Sequence, residues 1–225
     1  MRVWVTRAQP QAAATAERLV QMGHEPVVQP LIETRILPVA SDALVGAGAL
    51  AFTSQTAVEA AISQGLIPDL ADLPVFAVGD ATADAAQRAG FKKVLSAGGA
   101  VPDLAALILS NPASWQGDLV HLSARQPAGD LTGLLAHGGC PTRRVTLYET
   151  VETPRMAIPQ AVEAILIYSA MAARRAAAVI APHEAQNMCL FGLSEAALMP
   201  LNAIKFRQRA VAPIANEASI LSLLD

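Results

Sequence analysis

Short apolar runs alternate along the chain with alanine-rich segments whose apolar positions recur at helical spacing. Val3–Val5 reads as a strand, residues 10–22 as a helix, and Pro26–Val28 as a second strand. The beat returns at Leu50–Thr53, Val75–Val78, Leu119–Leu122, Ile165–Tyr168, Met188–Phe191 and Arg209–Ala212. Helical spacing follows at Ala57–Ile62, Ala81–Ala89, Leu131–Ala136 and Ala172–Ile180. Strand–helix alternation of this kind predicts an α/β protein with parallel sheets and helices packed on both faces. Ser54 or Thr56, Asp80, Ser169 and Ser194 stand where helices should be capped. Gly23, Gly65 and Gly90 fall where helices should stop.

The blocks repeat. Val5-Thr6-Arg7-Ala8-Gln9-Pro10 matches Leu122-Ser123-Ala124-Arg125-Gln126-Pro127, and downstream Leu31-Ile32-Glu33-Thr34 matches Leu147-Tyr148-Glu149-Thr150. The separations, 25 residues from Thr6 to Leu31 and 24 from Ser123 to Leu147, agree. Ala51-Phe52-Thr53-Ser54 likewise matches Leu166-Ile167-Tyr168-Ser169, leading after similar intervals to Gly79 and to Gly192. The middle of the chain holds all four blocks. The C-terminal part holds two, and its missing two stand at the N-terminus. This order implies two similar lobes, one continuous (residues 37–151) and one assembled from both chain ends (residues 1–36 with 152–225). Leu31–Val39 and Val145–Val151 have strand character and would form a two-stranded linker at the crossings. A ligand is expected in a cleft between the lobes, at the C-terminal ends of parallel strands.

Composition narrows the class. With 225 residues, 53% hydrophobic and 16% charged, the chain is neither disordered nor short of core. A net charge of −3 argues against bulk nucleic-acid binding. The most membrane-like stretch, around residues 156–173, is broken by Pro159 and Glu163. The chain runs from Met1 straight into a strand without a signal-peptide pattern, and a cytoplasmic location is expected. Cys140 and Cys189 have no metal or redox spacing. The histidines, His24, His121, His137 and His183, are scattered, so solvated or internally satisfied roles are expected of them.

Walker A and Gly-x-Gly-x-x-Gly motifs are missing. Val78-Gly79-Asp80-Ala81-Thr82-Ala83 reads as strand, glycine and helix start. Gly79 would permit a tight turn and Asp80 or Thr82 would cap the helix. Alternatively, exposed helix amides and the Thr82 hydroxyl would receive an anionic group. Thr6, Thr53, Ser54, Thr82, Ser123, Ser169 and Ser194 each stand at or just after a strand end. With Arg7 and Arg125 they describe a lining rich in neutral donors, suited to a polycarboxylate. Tyr148 has Ile32 as its repeat partner, so packing alone does not demand a phenol there.

Val5-Thr6-Arg7 with Pro10-Gln11, then Pro30-Leu31-Ile32-Glu33, Phe52-Thr53-Ser54, Val78-Gly79-Asp80-Ala81-Thr82-Ala83 and Tyr148-Glu149-Thr150, resemble the uroporphyrinogen-III synthase family in order and spacing. The resemblance continues through Ile167-Tyr168-Ser169 and Gly192-Leu193-Ser194-Glu195-Ala196. It implies two α/β lobes on a two-stranded linker, and an enzyme of haem synthesis that cyclises hydroxymethylbilane with loss of water. The last pyrrole ring is inverted through a spiro intermediate, without a metal or organic cofactor. The family's position for an acid near the departing hydroxyl falls on Tyr148, and its carboxylate anchors on Gly79, Thr82, Ser169 and Ser194. The implied partner is the small-molecule substrate, with neither nucleic acid nor membrane. The chain is expected to be a monomer in transient contact with hydroxymethylbilane synthase. Glu195 departs from the family pattern by bringing negative charge toward a polyanion. A non-catalytic tetrapyrrole or polycarboxylate binder of the same fold, and a sugar or nucleotide transferase, are the alternatives.

Overall fold

The computed structural model describes residues 1–112, 115–154 and 157–224. The chain divides into two compact units, Met1–Thr34 with Thr150–Asp225, and Arg35–Glu149. Residues 155, 156 and 225 of the lobe expected from the chain ends lie outside the described residues.

In the discontinuous unit, β1 (Arg2–Val5) is followed by α1 (Gln11–Gln21) and β2 (Glu25–Val28). The chain then enters β3 (Ile32–Ile36) and leaves the unit. After its return come β9 (Ala164–Ile167), α7 (Ala170–Val179), α8 (Pro182–Ala185), β10 (Cys189–Gly192), α9 (Glu195–Leu198), β11 (Gln208–Val211) and α10 (Glu217–Leu221). The sheet runs β11-β10-β9-β1-β2, parallel at every registered pair. Trp4, Ile165, Ile167 and Leu190 pack one face with Ala172, Ala176 and Leu198 of the helices. Val3, Val5, Leu166 and Phe191 pack the other with Leu19, Ile220 and Leu221.

The continuous unit holds β4 (Ala47–Phe52), α2 (Gln55–Ser63), α3 (Ile67–Leu70), β5 (Pro74–Ala77), α4 (Asp80–Ala89) and β6 (Lys93–Ser96). It continues with α5 (Val101–Leu109), β7 (Asp118–Ala124), α6 (Leu131–His137) and β8 (Thr142–Glu152). Its sheet order is β3-β8-β7-β4-β5-β6. Leu50, Phe52, Val120, Leu122 and Leu147 face Ala57, Val58 and Ala86, while Ala49, Ala51, Phe76 and Leu119 face Leu104, Ile108 and Leu135. Side chains alternate between faces along a strand, so four-residue runs such as Ala164–Ile167 are buried throughout because helices cover both sides. β3 and β8 carry the two chain crossings and pair with each other, with Leu37 N–H donating to the Leu147 carbonyl.

The orders β2-β1-β9-β10-β11 and β8-β7-β4-β5-β6 are the same arrangement, permuted in the chain as the repeated blocks imply. The register corrects one pairing. Val5 lies beside Leu166 and Val28, and the matching position beside Ala51 and Arg144 is His121. Within the strands, therefore, Val5 corresponds to His121 rather than to Leu122. A one-residue slip exchanges the two faces of a strand, which block similarity alone does not detect.

β6 and α5 were not anticipated from the sequence. β6 is an edge strand of four residues with Lys93 and Leu95 exposed, so it lacks a continuous apolar run. α5 opens on Pro102 near its N-terminus, where a missing N–H costs nothing. Asp80 does not cap α4: Gly79 is the N-cap residue and Asp80 is the first helical residue. The Asp80 carboxylate instead accepts from the Ser96 hydroxyl at 2.6 Å.

Candidate active site

Open α/β sheets take ligands where the chain leaves adjacent strands in opposite directions. In the continuous unit that point is β4/β7, and in the discontinuous unit it is β9/β1. At the first, Ser54 follows β4 in extended conformation and its Oγ accepts from Ala57 N–H at 3.1 Å, capping α2. The same Oγ lies 3.0 Å from the Tyr148 hydroxyl. Tyr148 is carried by β8 and packs into the cluster of Phe52, Val58 and Leu147. Burial pushes its pKa above the ordinary value, while hydrogen bonding from Ser54 and Thr56 pulls the other way. Negative charge on Glu59 raises it further. The phenol therefore stays protonated at neutral pH, as a proton donor must.

Thr53 Oγ1 lies 3.0 Å from His121 Nε2. Gly79 has φ −165, an extended conformation open to any residue, and an added Cβ would make only ordinary contacts. The expected need for a tight turn is therefore not met. What Gly79 does supply is a helix start without a capping side chain. Thr82 is buried in the first turn of α4, and its N–H donates to the Gly79 carbonyl. Arg125 is exposed and pairs with Glu149 at 3.1 Å. Ser123 is fully buried and its hydroxyl donates to the Ala124 carbonyl at 3.3 Å, away from any surface.

In the discontinuous unit, Thr6 is also fully buried and donates to the Leu166 carbonyl at 2.5 Å. Thr6 and Ser123 thus lie inside the sheets rather than on a ligand-facing surface. Arg7 stacks over the Tyr168 ring, 4.4 Å from its centroid, and pairs with Glu217 at 3.2 Å. Thr15 and Arg18 also bond the Glu217 carboxylate. Burial lowers the Arg7 pKa, opposed by Tyr168. Ser169 caps α7 through Ala172 N–H and Ser194 caps α9 through Ala197 N–H, each at 3.2 Å. Glu195, the departure from the family pattern, pairs with Arg209 at 2.7 Å. Its charge is locally balanced.

The structure thus joins Ser54 to Tyr148 and Thr53 to His121 in one unit, and gathers Arg7, Tyr168 and Glu217 in the other. His121 and Glu217 had no sequence signal, since their partners are distant in the chain. Hollows of about 610 and 570 Å³ lie elsewhere, lined in part by residues at the starts of strands, such as Val162, Met188, Gly117 and Asp118. Among the described residues no group of three or more His, Cys, Asp and Glu side chains is placed to hold a metal ion. No helix among them is long and apolar enough to cross a membrane.

Two permuted parallel-sheet lobes joined through the paired strands β3 and β8, with a buried phenol beside the helix-capping serine at one strand crossing, define a two-domain α/β protein with hydroxyl-bearing strand ends in both lobes. The chain belongs to the uroporphyrinogen-III synthase family: the family profile described as uroporphyrinogen-III synthase HemD matches residues 13–222. It is an enzyme of haem biosynthesis acting on a small-molecule substrate. The crystal structure of uroporphyrinogen-III synthetase from Helicobacter pylori 26695 is similar, with TM-score 0.71 and 17% identity over 99% of this chain and 97% of that one. A mutant uroporphyrinogen III synthase from the extremely thermophilic bacterium Thermus thermophilus matches with TM-score 0.56 and 17% identity over 99% and 96%. At these identities the likeness is one of fold. A comparison with curated proteins gave no match.

Proposed function

We propose that the chain closes hydroxymethylbilane to uroporphyrinogen III with Tyr148 as the acid at the departing hydroxyl. The observation that carries this is the buried, protonated phenol held 3.0 Å from Ser54 Oγ. Proton donation to the leaving hydroxyl releases water and generates an azafulvene. Attack from the substituted carbon of the last ring gives the spiro intermediate, which fragments and recloses with that ring inverted. Because the linear tetrapyrrole also closes unaided to the uninverted isomer, selectivity comes from binding the spiro transition state better than the direct one.

The substrate's acetate and propionate groups need donors rather than one dominant ion pair. The uncapped start of α4 at Gly79, with Thr82 in its first turn, suits one carboxylate. Ser54, Ser169 and Ser194 keep hydroxyls at helix starts, while Arg7 and Arg125 supply charge, each tempered by a carboxylate partner. Thr53 contributes through the strand end it occupies. Thr6 and Ser123 serve the sheets and drop from the binding set. The binding-protein reading drew on Glu195, and its pairing with Arg209 removes that support. We further propose a monomer in the cytoplasm, in passing contact with hydroxymethylbilane synthase; sedimentation with and without that enzyme tests both associations.

The test is to make hydroxymethylbilane in situ with its synthase, add this protein, oxidise the products and separate the uroporphyrin isomers. Isomer III in place of isomer I is the expected result. Isomer I alone, from folded protein, overturns the assignment.

A further inference from the structure

His121 lies beneath the β4/β7 crossing and is 1% exposed. Its Nε2 meets the Thr53 hydroxyl, and its Nδ1 is buried without a hydrogen-bond partner. A buried polar atom left unpaired is destabilising, so an aliphatic side chain would serve packing better. The molecule contains that comparison. At the corresponding position of the other lobe stands Val5, fully buried among Val3, Ala164, Leu166 and Phe191. The fold therefore accepts valine where this lobe carries an imidazole.

The two lobes differ further around this position, since Tyr168 stands in the discontinuous lobe where the continuous one has Thr53. Ser54 meets a phenol, whereas Ser169 caps its helix in a lobe where Ile32 takes the place of Tyr148. The imidazole occurs in the lobe that has a threonine hydroxyl for it to hold and a phenol in contact with the helix-capping serine. Thr53 and Ser54 are consecutive and project to opposite faces, so a bond that pins Thr53 also fixes the backbone from which Ser54 reaches Tyr148.

We propose that His121 is a positioning residue: by holding the Thr53 hydroxyl it locks the end of β4 so that Ser54 keeps the Tyr148 phenol aimed for proton delivery. This rests on the reading of Tyr148 as the acid. The imidazole is neutral at working pH, because burial, and then Arg144 beside it on β8, hold its pKa down to about 4.

The chain has two tyrosines, so in a Tyr168→Phe background the near-ultraviolet tyrosinate absorbance reports Tyr148 alone. His121→Leu in that background should lower kcat about tenfold, the scale of one lost hydrogen bond, with KM little changed. The Tyr148 midpoint should rise as it does in Ser54→Ala, because the Ser54 bond is what favours the phenolate. His121→Gln, which keeps a polar group near Thr53, should restore most of the rate. Thr53→Val should reproduce the His121→Leu loss in kcat, and the double variant should be no worse than either. This second route stands if His121→Leu fails to fold. Wild-type kcat and an unmoved midpoint in His121→Leu, with Tyr148→Phe inactive, overturn the positioning role alone. Wild-type turnover in Tyr148→Phe overturns the acid role and this inference with it.

Discussion

Ser54 Oγ stands 3.0 Å from the Tyr148 hydroxyl while also accepting the Ala57 amide hydrogen. One hydroxyl thus starts a helix and holds the proposed acid, although its partner is 94 residues away in sequence. Replacing Tyr148 with Phe removes the proton and little else. We expect kcat to fall by about 100-fold or more, the scale of general-acid assistance, with melting temperature nearly unchanged. Isomer-resolved product analysis measures the first and thermal unfolding the second.

Ser54→Ala and Ser169→Ala separate the two duties of a cap. Each should cost about 1 kcal/mol of stability, the typical loss for a serine N-cap. Ser54→Ala should in addition lower kcat, because its hydroxyl alone of the two meets Tyr148. Equal kcat in both variants would detach Ser54 from the chemistry.

Thr6 was expected among the ligand contacts, yet its hydroxyl is buried against the Leu166 carbonyl. Thr6→Val should therefore lower stability by about 1 kcal/mol, the net value of a hydrogen bond, and leave KM alone. A raised KM at unchanged stability would return Thr6 to the binding set.

Acid should weaken the continuous lobe through His121. Its pKa is about 4 in the fold, against about 6.5 unfolded. Between those values the unfolded chain binds more protons, so stability is full above the unfolded value and is lost as pH falls toward the folded one. The whole difference is about 3 kcal/mol. Trp115 reports on this lobe through its packing against Phe76, so denaturant unfolding of a Trp4→Phe variant, followed by fluorescence, measures it. In His121→Gln this part of the pH slope should vanish.

Glu195 pairs with Arg209 at an exposed site. Glu195→Gln should change stability by less than about 1 kcal/mol, as exposed ion pairs do, and leave KM within about fivefold of wild type, the affinity equivalent of about 1 kcal/mol. A KM that drops well beyond this would show the carboxylate repelling substrate.

Much of the fold was legible because its causes are local and periodic. Runs such as Ile165–Tyr168 are apolar since both sheet faces are covered, and Ser54, Ser169 and Ser194 cap where their residue type leads one to look. Asp80 failed as a cap since Gly79 takes the N-cap position and Ser96 takes the carboxylate.

The sequence by itself determined the strand–helix alternation and, through blocks repeated in permuted order, the matching strand orders of two lobes. Only the tertiary structure decided which hydroxyls stay at a surface. Thr6, Ser123 and Ser54 look alike along the chain, but strand register turns the first two into the sheets and leaves Ser54 beside Tyr148. The same register put His121 under Thr53, and the return of the C-terminal segment put Glu217 against Arg7. Side-chain facing has a period of two residues, so a one-residue shift in pairing reverses it. Pairing is set by contacts between segments far apart in the chain, which no local pattern encodes.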